Sequence, residues 1–355
     1  MPYSVELRTN KMTDTAAELI QLTSEFLNRP DLIQGPGGNT SVKNHDGQMF
    51  IKASGFRFEE LKHDNGISAV NHQPISDYFF NVIPEDKSRE EALMLQIVQS
   101  NVLKYEDGST YPKPSMETGF HAVLDRYVVH THSVWTNLLN CCSDRQSMIK
   151  QLKLNYNAVF IPFVSPGFGL SYLVTLEIKK AKTEGRPKPD LFFLANHGII
   201  AHSDEPQKCK EMLDAADAAI QKVLNLSITY PEVKLIANGH HWESNFGFVP
   251  ETLAKYGADK SFFDKVLFPD QTVFFNDRIS DWNDTEKLVI DLKNDGSVSY
   301  NCSYREAISI HETMTAYLYL FDVLTEIDLP MDFIGGSEID YINGMEMEKH
   351  RKQIN

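Results

Sequence analysis

The spacing of apolar residues changes period repeatedly along the chain, and each change marks an element. In TDTAAELIQLTSEFLNRP, Leu19, Leu22 and Phe26 recur at helical spacing. Thr15 and Glu18 sit three apart as in a capping box, and Pro30 lies just past the end, so this stretch predicts a first helix. SREEALMLQIVQSNVLK predicts a second, with Ser88 and Glu91 as its capping box, and SMETGFHAVL a third. Further helices are predicted from about Ser171 to Lys182, and from Pro206, in the first turn, to about Leu226. Between them, runs rich in β-branched and aromatic residues predict strands: MFIKAS, RYVVHTHSVW, AVFIPFV and the pair in LFFLANHGIIAH. LIQGPGGNTSVK reads as a glycine-rich turn, with further turns at Ser54-Gly55 and SPGFG. Helices alternating with strands predict a mixed α/β layered domain.

After about residue 235 the character changes. KVLFPDQTVFFN and KLVIDLKNDGSVSYN read as strands, the second folding back at Asp295-Gly296. A long helix, SYREAISIHETMTAYLYLFDVL, follows with Ser303 and Glu306 as its cap. No internal repeat or low-complexity segment interrupts the chain. Residues 1–235 therefore form one predicted domain, and 236–355 an α+β extension packed on it.

Composition narrows the function classes. The formal net charge of −15 over 355 residues argues against a nucleic-acid partner, which needs a basic surface. A small anionic substrate stays compatible, because a pocket can be locally positive or lined by backbone N–H groups. No apolar run approaches the roughly 20 residues that cross a bilayer, and the start lacks a signal-peptide layout. Cys141, Cys142, Cys209 and Cys302 show neither CxxC spacing nor disulfide density, so a reducing cytoplasm is the expected location.

The candidate chemistry begins with His130 and His132. On a strand, residues two apart project to one face, about 7 Å apart at the backbone, within reach of one metal ion. The same pair is also compatible with core histidines bonded to backbone groups. His197, at the polar break ANHG between two apolar runs, would add a third imidazole. Three imidazoles with an open fourth position suit a catalytic zinc ion, with Co²⁺ or Mn²⁺ as alternatives. Glu117 lies near the start of the helix leading into the histidine strand, where a lone glutamate is equally a first-turn residue favoured by the helix dipole. His121, His202, His240, His241 and His311 read as structural or surface residues.

Taken in order, GGNTSVK, KASG, PSMETGFH, HTH, PFVSPG and LANHG resemble the class II aldolase/adducin family over roughly residues 12 to 230. The resemblance implies a three-layer α/β/α domain around a central, mostly antiparallel sheet. By motif, His130, His132 and His197 resemble its zinc ligands and Glu117 its catalytic acid/base. Asn39, Ser54, Gly55 and Ser115 resemble its pocket for the substrate phosphate. Glycine-rich turns and small hydroxyls suit such an anion pocket, although GPGG alone also suits a tight turn. VLFPDQTVFF and EIDYINGMEMEKHRKQ resemble the end of the long aldolase module that some bacteria fuse to a short-chain dehydrogenase. No GxGxxG follows a strand here; the nearest strings, at Gly35 and Gly167, fail the pattern. One departure stands out: Met116 occupies a position where many phosphate-cleaving members carry a hydroxyl. A longer substrate, a differently bound phosphate or an unphosphorylated sugar all fit that change.

The implied activity is reversible aldol cleavage of a ketose 1-phosphate through a zinc-stabilised enediolate, with a tyrosine as second acid. The implied assembly is a homo-oligomer, tetrameric by resemblance, with no nucleic-acid or membrane partner. A ketose-phosphate 4-epimerase, a dehydratase or decarboxylase of the same fold, and a non-catalytic adducin-like scaffold are the alternatives.

Overall fold

The structure, a computed structural model, describes residues 3–276, 279, 290–292 and 295–345. Its centre is a seven-stranded sheet in the order β3-β2-β1-β4-β7-β6-β5. The strands are β1 (Asn39–Lys43), β2 (Gln48–Lys52), β3 (Ile67–Asn71), β4 (Tyr127–Thr131), β5 (Ala158–Ile161), β6 (Leu191–Leu194) and β7 (Gly198–Ser203). Only β5 and β6 run parallel; every other neighbouring pair is antiparallel.

Alternation along the strands feeds two cores. Tyr127 and Val129, Leu191 and Phe193, and Ile199 and Ala201 point into one. Val128, Phe192, Leu194 and Ile200 point into the other. The second core is closed by helices His72–Asn81, Lys87–Ser100, Thr118–Val123 and Phe168–Thr183 through Phe79, Met94, Phe120 and Val174. The first is closed by Tyr3–Ser24, Val134–Asn140, Pro206–Val223 and Tyr304–Glu326 through Leu19, Leu138, Met212 and Leu318. The chain thus forms three α/β/α layers. Cover on both faces is why its strands read as continuous apolar runs rather than half-polar ones. Among the described residues no helix is long and apolar enough to cross a membrane.

Beyond residue 235 a four-stranded sheet runs β10-β11-β9-β8, with β8 (Ile236–Asn238), β9 (His241–Ser244), β10 (Ile290–Leu292) and β11 (Val298–Tyr300). The helix Tyr304–Glu326 crosses to the first core, and its Glu312 makes a two-pronged pair with Arg57 at 2.8 and 2.9 Å. Both side chains are largely buried, so removing either would strand a charge at a cost of about 3–5 kcal/mol.

Several sequence expectations need correction. KVLFPDQTVFFN does not form a strand: Pro269–Phe274 is a short helix with Pro269 in its first turn. Gln271 locks it, accepting from Leu267 N and donating to Phe263 O, both at 3.0 Å. Burial on every side leaves that segment no polar face, so its apolar run carried no helical period. Val134 and Trp135 do not continue the histidine strand; they open the helix Val134–Asn140. The first helix starts at Tyr3, placing Thr15 inside it rather than at its cap. The second is capped by Asp86, which accepts from Arg89 N at 2.8 Å, and not by Ser88; Glu91 instead accepts from Phe168 N. NTSVK, read as part of a turn, is strand β1. β3, the helix His72–Asn81 and the β8–β9 hairpin had no clear pattern. The Asp295-Gly296 fold-back is partly described: Asp295 accepts from Ser297 N at 3.0 Å, and Gly296 has a φ of +82°.

Asp217, on the helix Pro206–Val223, is buried and accepts from Ser133 Oγ at 2.8 Å. Burial raises its carboxyl to about 8, opposed by the Ser133 hydrogen bond and reinforced by Asp31 and Asp214. The unfolded carboxyl titrates near about 3.9, so this group's stabilisation is complete below that pH and is lost as pH rises through the folded value. Asp217→Asn keeps an acceptor for Ser133 and removes the loss. Thermal unfolding should show the variant melting a few degrees above wild type at about pH 8, with the gap closing towards about pH 4. A gap independent of pH would refute the buried, protonated carboxyl.

Candidate metal centre

The three histidines arrive from different pieces of backbone. His130 lies on β4, paired in register with Asn39 of β1 and Ile200 of β7. His132 sits one residue past the end of β4, where its N–H donates to Leu32 O at 3.0 Å. His197 occupies the tight β6–β7 turn. That turn requires a left-handed residue, supplied by Asn196 at φ +50°, a conformation asparagine tolerates better than most residues. Asn137 and Asn140 then tie the turn down, donating to His197 O at 3.2 Å and Gly198 O at 2.8 Å.

The rings form a near-equilateral triangle, with centroids 4.8, 4.9 and 5.0 Å apart. One nitrogen from each lies within 4.8 Å of the others, and all three residues are buried. The tautomers carry the argument. His130 Nδ1 is 3.0 Å from Ile199 O, a carbonyl that can only accept, so Nδ1 holds the proton and Nε2 presents its lone pair. Burial pushes the His130 imidazole down to about 4, keeping it neutral. His132 Nδ1 is 2.9 Å from Asp270 Oδ2, but that oxygen is not aligned to accept a hydrogen bond from the ring. The two Nε2 atoms are 3.1 Å apart. Either a proton on His132 Nε2 is donated to the His130 lone pair there, or both nitrogens present lone pairs to a shared cation.

Glu117 favours the metal. Its Oε1 lies 3.6 Å from His130 Nε2 and 3.4 Å from His197 Nε2, and is buried without a hydrogen-bond partner. Tetrahedral zinc places its nitrogen ligands about 3.3 Å from one another, close to the separation seen here. Three imidazoles and one carboxylate oxygen around a common gap form a donor set that fits a divalent ion.

Glu117 also departs from the first-turn alternative. It occupies the N-cap position of Thr118–Val123, but its side chain makes no capping bond. Ser115 Oγ accepts from Glu117 N at 3.2 Å, while Asn39 Nδ2 donates to Glu117 Oε2 at 2.6 Å. Asn39 therefore holds one carboxylate oxygen and turns the other to the histidines. At the far end of that helix, buried Lys43 donates to the carbonyls of His121, Leu124 and Asp125 at 2.5–2.9 Å.

Asn39, Ser54, Gly55 and Ser115 line one narrow cleft together with Glu117, His132 and His197; His130 is not among its lining residues. Two N–H groups of the glycine-rich loop are used within the protein, while Gly38 lines the cleft. Gly35 N donates to Glu312 at 2.7 Å and Gly37 N to Gln34 O at 3.0 Å, so those N–H groups are spent internally. Sequence reasoning missed two residues of the cleft. Lys52 is buried there, donating to Pro36 O and Phe56 O at 2.9 and 2.7 Å; a lysine inside an apolar strand was its only signal. Asp270 comes from the helix mistaken for a strand and had none. Met116 lines the cleft and packs on Met345, Leu95 and Tyr341, so the extension covers this side chain. Among the described residues no tyrosine lines the cleft.

The other histidines fall outside the cluster. His202 bridges Asp125 and Pro189 O, His311 meets Tyr300 and His121 meets Ser41. His240 and His241 are exposed on the β8–β9 hairpin.

Gly198 makes the closure possible. A Cβ there would lie 2.2 Å from Thr131 O and 3.3 Å from the His130 ring. Backbone cannot yield as a side chain can. Gly198→Ala should therefore push β7 from β4, lowering stability by about 1–3 kcal/mol, and should reduce the metal retained on purification. A variant that melts with wild type and keeps its full metal complement would refute the close approach.

The model of the class II aldolase and adducin N-terminal domain matches residues 17–224. An uncharacterized oxidoreductase of Bacillus subtilis (strain 168), YuxG, is 24% identical over 239 residues, which is 62% of this chain and 32% of that protein. The chain thus spans about a third of that relative's length. Among solved structures, the N-terminal class II aldolase domain of a conserved Thermoplasma acidophilum protein is 22% identical with a TM-score of 0.47, covering 58% of this chain and 91% of that one. An L-fuculose 1-phosphate aldolase is 20% identical with a TM-score of 0.39, covering 59% and 84%. With the family's domain matched over more than half its length, the chain belongs to the class II aldolase and adducin family.

Proposed function

We propose that the chain is a zinc-dependent aldolase that reversibly cleaves a ketose 1-phosphate of the deoxysugar type to dihydroxyacetone phosphate and an aldehyde. The observation that carries this reading is the convergence of three imidazoles and Glu117 Oε1 on one buried point at the floor of a hydroxyl-lined cleft. His130, His132 and His197 would hold the ion. Three imidazoles favour zinc, with cobalt or manganese as the alternatives. A divalent cation there supplies Lewis acidity, lowering the cost of negative charge on a sugar oxygen.

Cleavage breaks the C3–C4 bond of the ketose. C4 becomes the aldehyde carbonyl as its hydroxyl proton leaves, and the electron pair left on C3 needs a proton. Glu117 returns that proton, and in the synthetic direction removes it. Its geometry supports the role: with Oε2 held by Asn39, Oε1 alone is free to exchange a proton. Ser54, Gly55 and Ser115 would take the phosphate, with Lys52 supplying positive charge in a chain that is otherwise acidic. Asn39, at the same wall, acts first on Glu117. The C4 hydroxyl proton needs a second group, for which we assign a tyrosine of a neighbouring copy in a homotetramer, the family's arrangement. The extension, residues 236–355, serves the same site rather than a separate activity.

Mass spectrometry of the purified protein should find about one zinc per chain, lost in His197→Ala. Glu117→Gln should keep most of the metal while turnover falls roughly 10²–10⁴-fold. Ketose 1-phosphates should release free aldehyde. Clean conversion to an epimer without aldehyde would make the enzyme an epimerase. Failure to take up metal on reconstitution would leave an adducin-like scaffold.

A further inference from the structure

We infer that Asp270 is the positioning residue of His132, so that residues beyond the family's matched domain complete the metal centre within the same chain. The inference rests on the metal-centre reading of the three histidines. Asp270 Oδ2 lies 2.9 Å from His132 Nδ1, and both side chains are buried. His130 takes its orientation from a backbone carbonyl of its own sheet. His132, one residue past the strand, takes it from a carboxylate 138 positions on in sequence. The oxygen lies off the line of the ring's N–H here; with the ion bound, a small turn of either side chain would let the carboxylate accept from Nδ1 and so present the Nε2 lone pair to the ion.

Two independent features show that this contact is built. The first is clearance. A Cβ on Gly37 would lie 2.7 Å from Asp270 Oδ2 and 2.8 Å from His132 Nδ1. The second glycine of GPGG therefore leaves the space in which the pair meets. The second feature is anchorage. Asn196, the neighbour of His197, donates to Leu267 O at 3.0 Å and Asp332 O at 2.7 Å. Cys141 Sγ also reaches Leu267 O at 3.4 Å. The turn that presents one imidazole thus grips the segment that orients another.

The test is zinc affinity of the full-length protein, measured by competition with a chromogenic chelator, with the cobalt-substituted visible spectrum as a second readout. Asp270→Asn keeps the volume and removes the charge; it should bind zinc 10–100-fold more weakly and alter the cobalt bands. Gly37→Ala, at a position with an ordinary backbone, should weaken binding in the same direction by parting the pair. It also tests the proposal if Asp270→Asn folds poorly. Affinities within about twofold of wild type in either variant, when folded, overturn the positioning role while the metal centre stands. A wild-type chain that takes up no zinc overturns both together.

Discussion

Everything at the centre of this protein depends on the 3.1 Å approach of the Nε2 atoms of His130 and His132. His130 has its other nitrogen committed to a carbonyl, while His132 has a carboxylate oxygen 2.9 Å from its own, not aligned to accept from it. The approach is therefore held either by a proton of His132 Nε2 donated to His130 Nε2 or by a cation shared between the two nitrogens. The surrounding structure fixes this approach. β4 is clamped between β1 and β7 by antiparallel ladders, Gly198 lets β7 close without a side chain in the way, and Leu32 O catches His132 N as it leaves the strand.

A sheet covered on both faces leaves few places for polar side chains, so each one present has a structural reason. Asn39 faces His130 across the β1–β4 ladder and reaches Glu117. Lys43 terminates the helix that Glu117 begins, binding three carbonyls that the helix leaves open. Lys52 joins the glycine loop at Pro36 to the turn at Phe56 and so sets the width of the cleft. Asn39 and Lys52, from the paired strands β1 and β2, thus line the cleft, while Lys43 holds the helix behind it.

This arrangement also explains what could be read from sequence. Histidines inside a run such as VVHTH stand out because a buried strand otherwise contains only apolar groups, and the polar break ANHG stands out for the same reason. Glu117 was visible as a carboxylate, but its direction was not, because Asn39 sets it from another strand. KVLFPDQTVFFN misled because a helix buried all round has no amphipathic period to distinguish it from a strand. Asp270 was invisible for a related reason. A single acid in an apolar segment acquires meaning only when the chain folds back over 138 residues to His132. The GPGG loop was legible as a tight turn, while its role in clearing space for that contact was not.

The extension is joined to the core by polar bonds that only a folded chain can make. Glu312 takes both Arg57 and the N–H of Gly35, so one carboxylate fixes the loop that runs past His132. Met116, in the cleft lining, packs on Met345 and Tyr341 and so seats that wall under the extension. A domain that relied on its own sheet alone would leave His132 oriented only by its backbone, since His132 lies past the end of β4 and pairs with no strand. The carboxylate that meets its Nδ1 had to come from outside the sheet, and the segment that carries it is held by the residue beside His197. The histidine cluster and the described part of the extension therefore constrain each other, so Leu267 and Asp270 pack as part of the site rather than beside it.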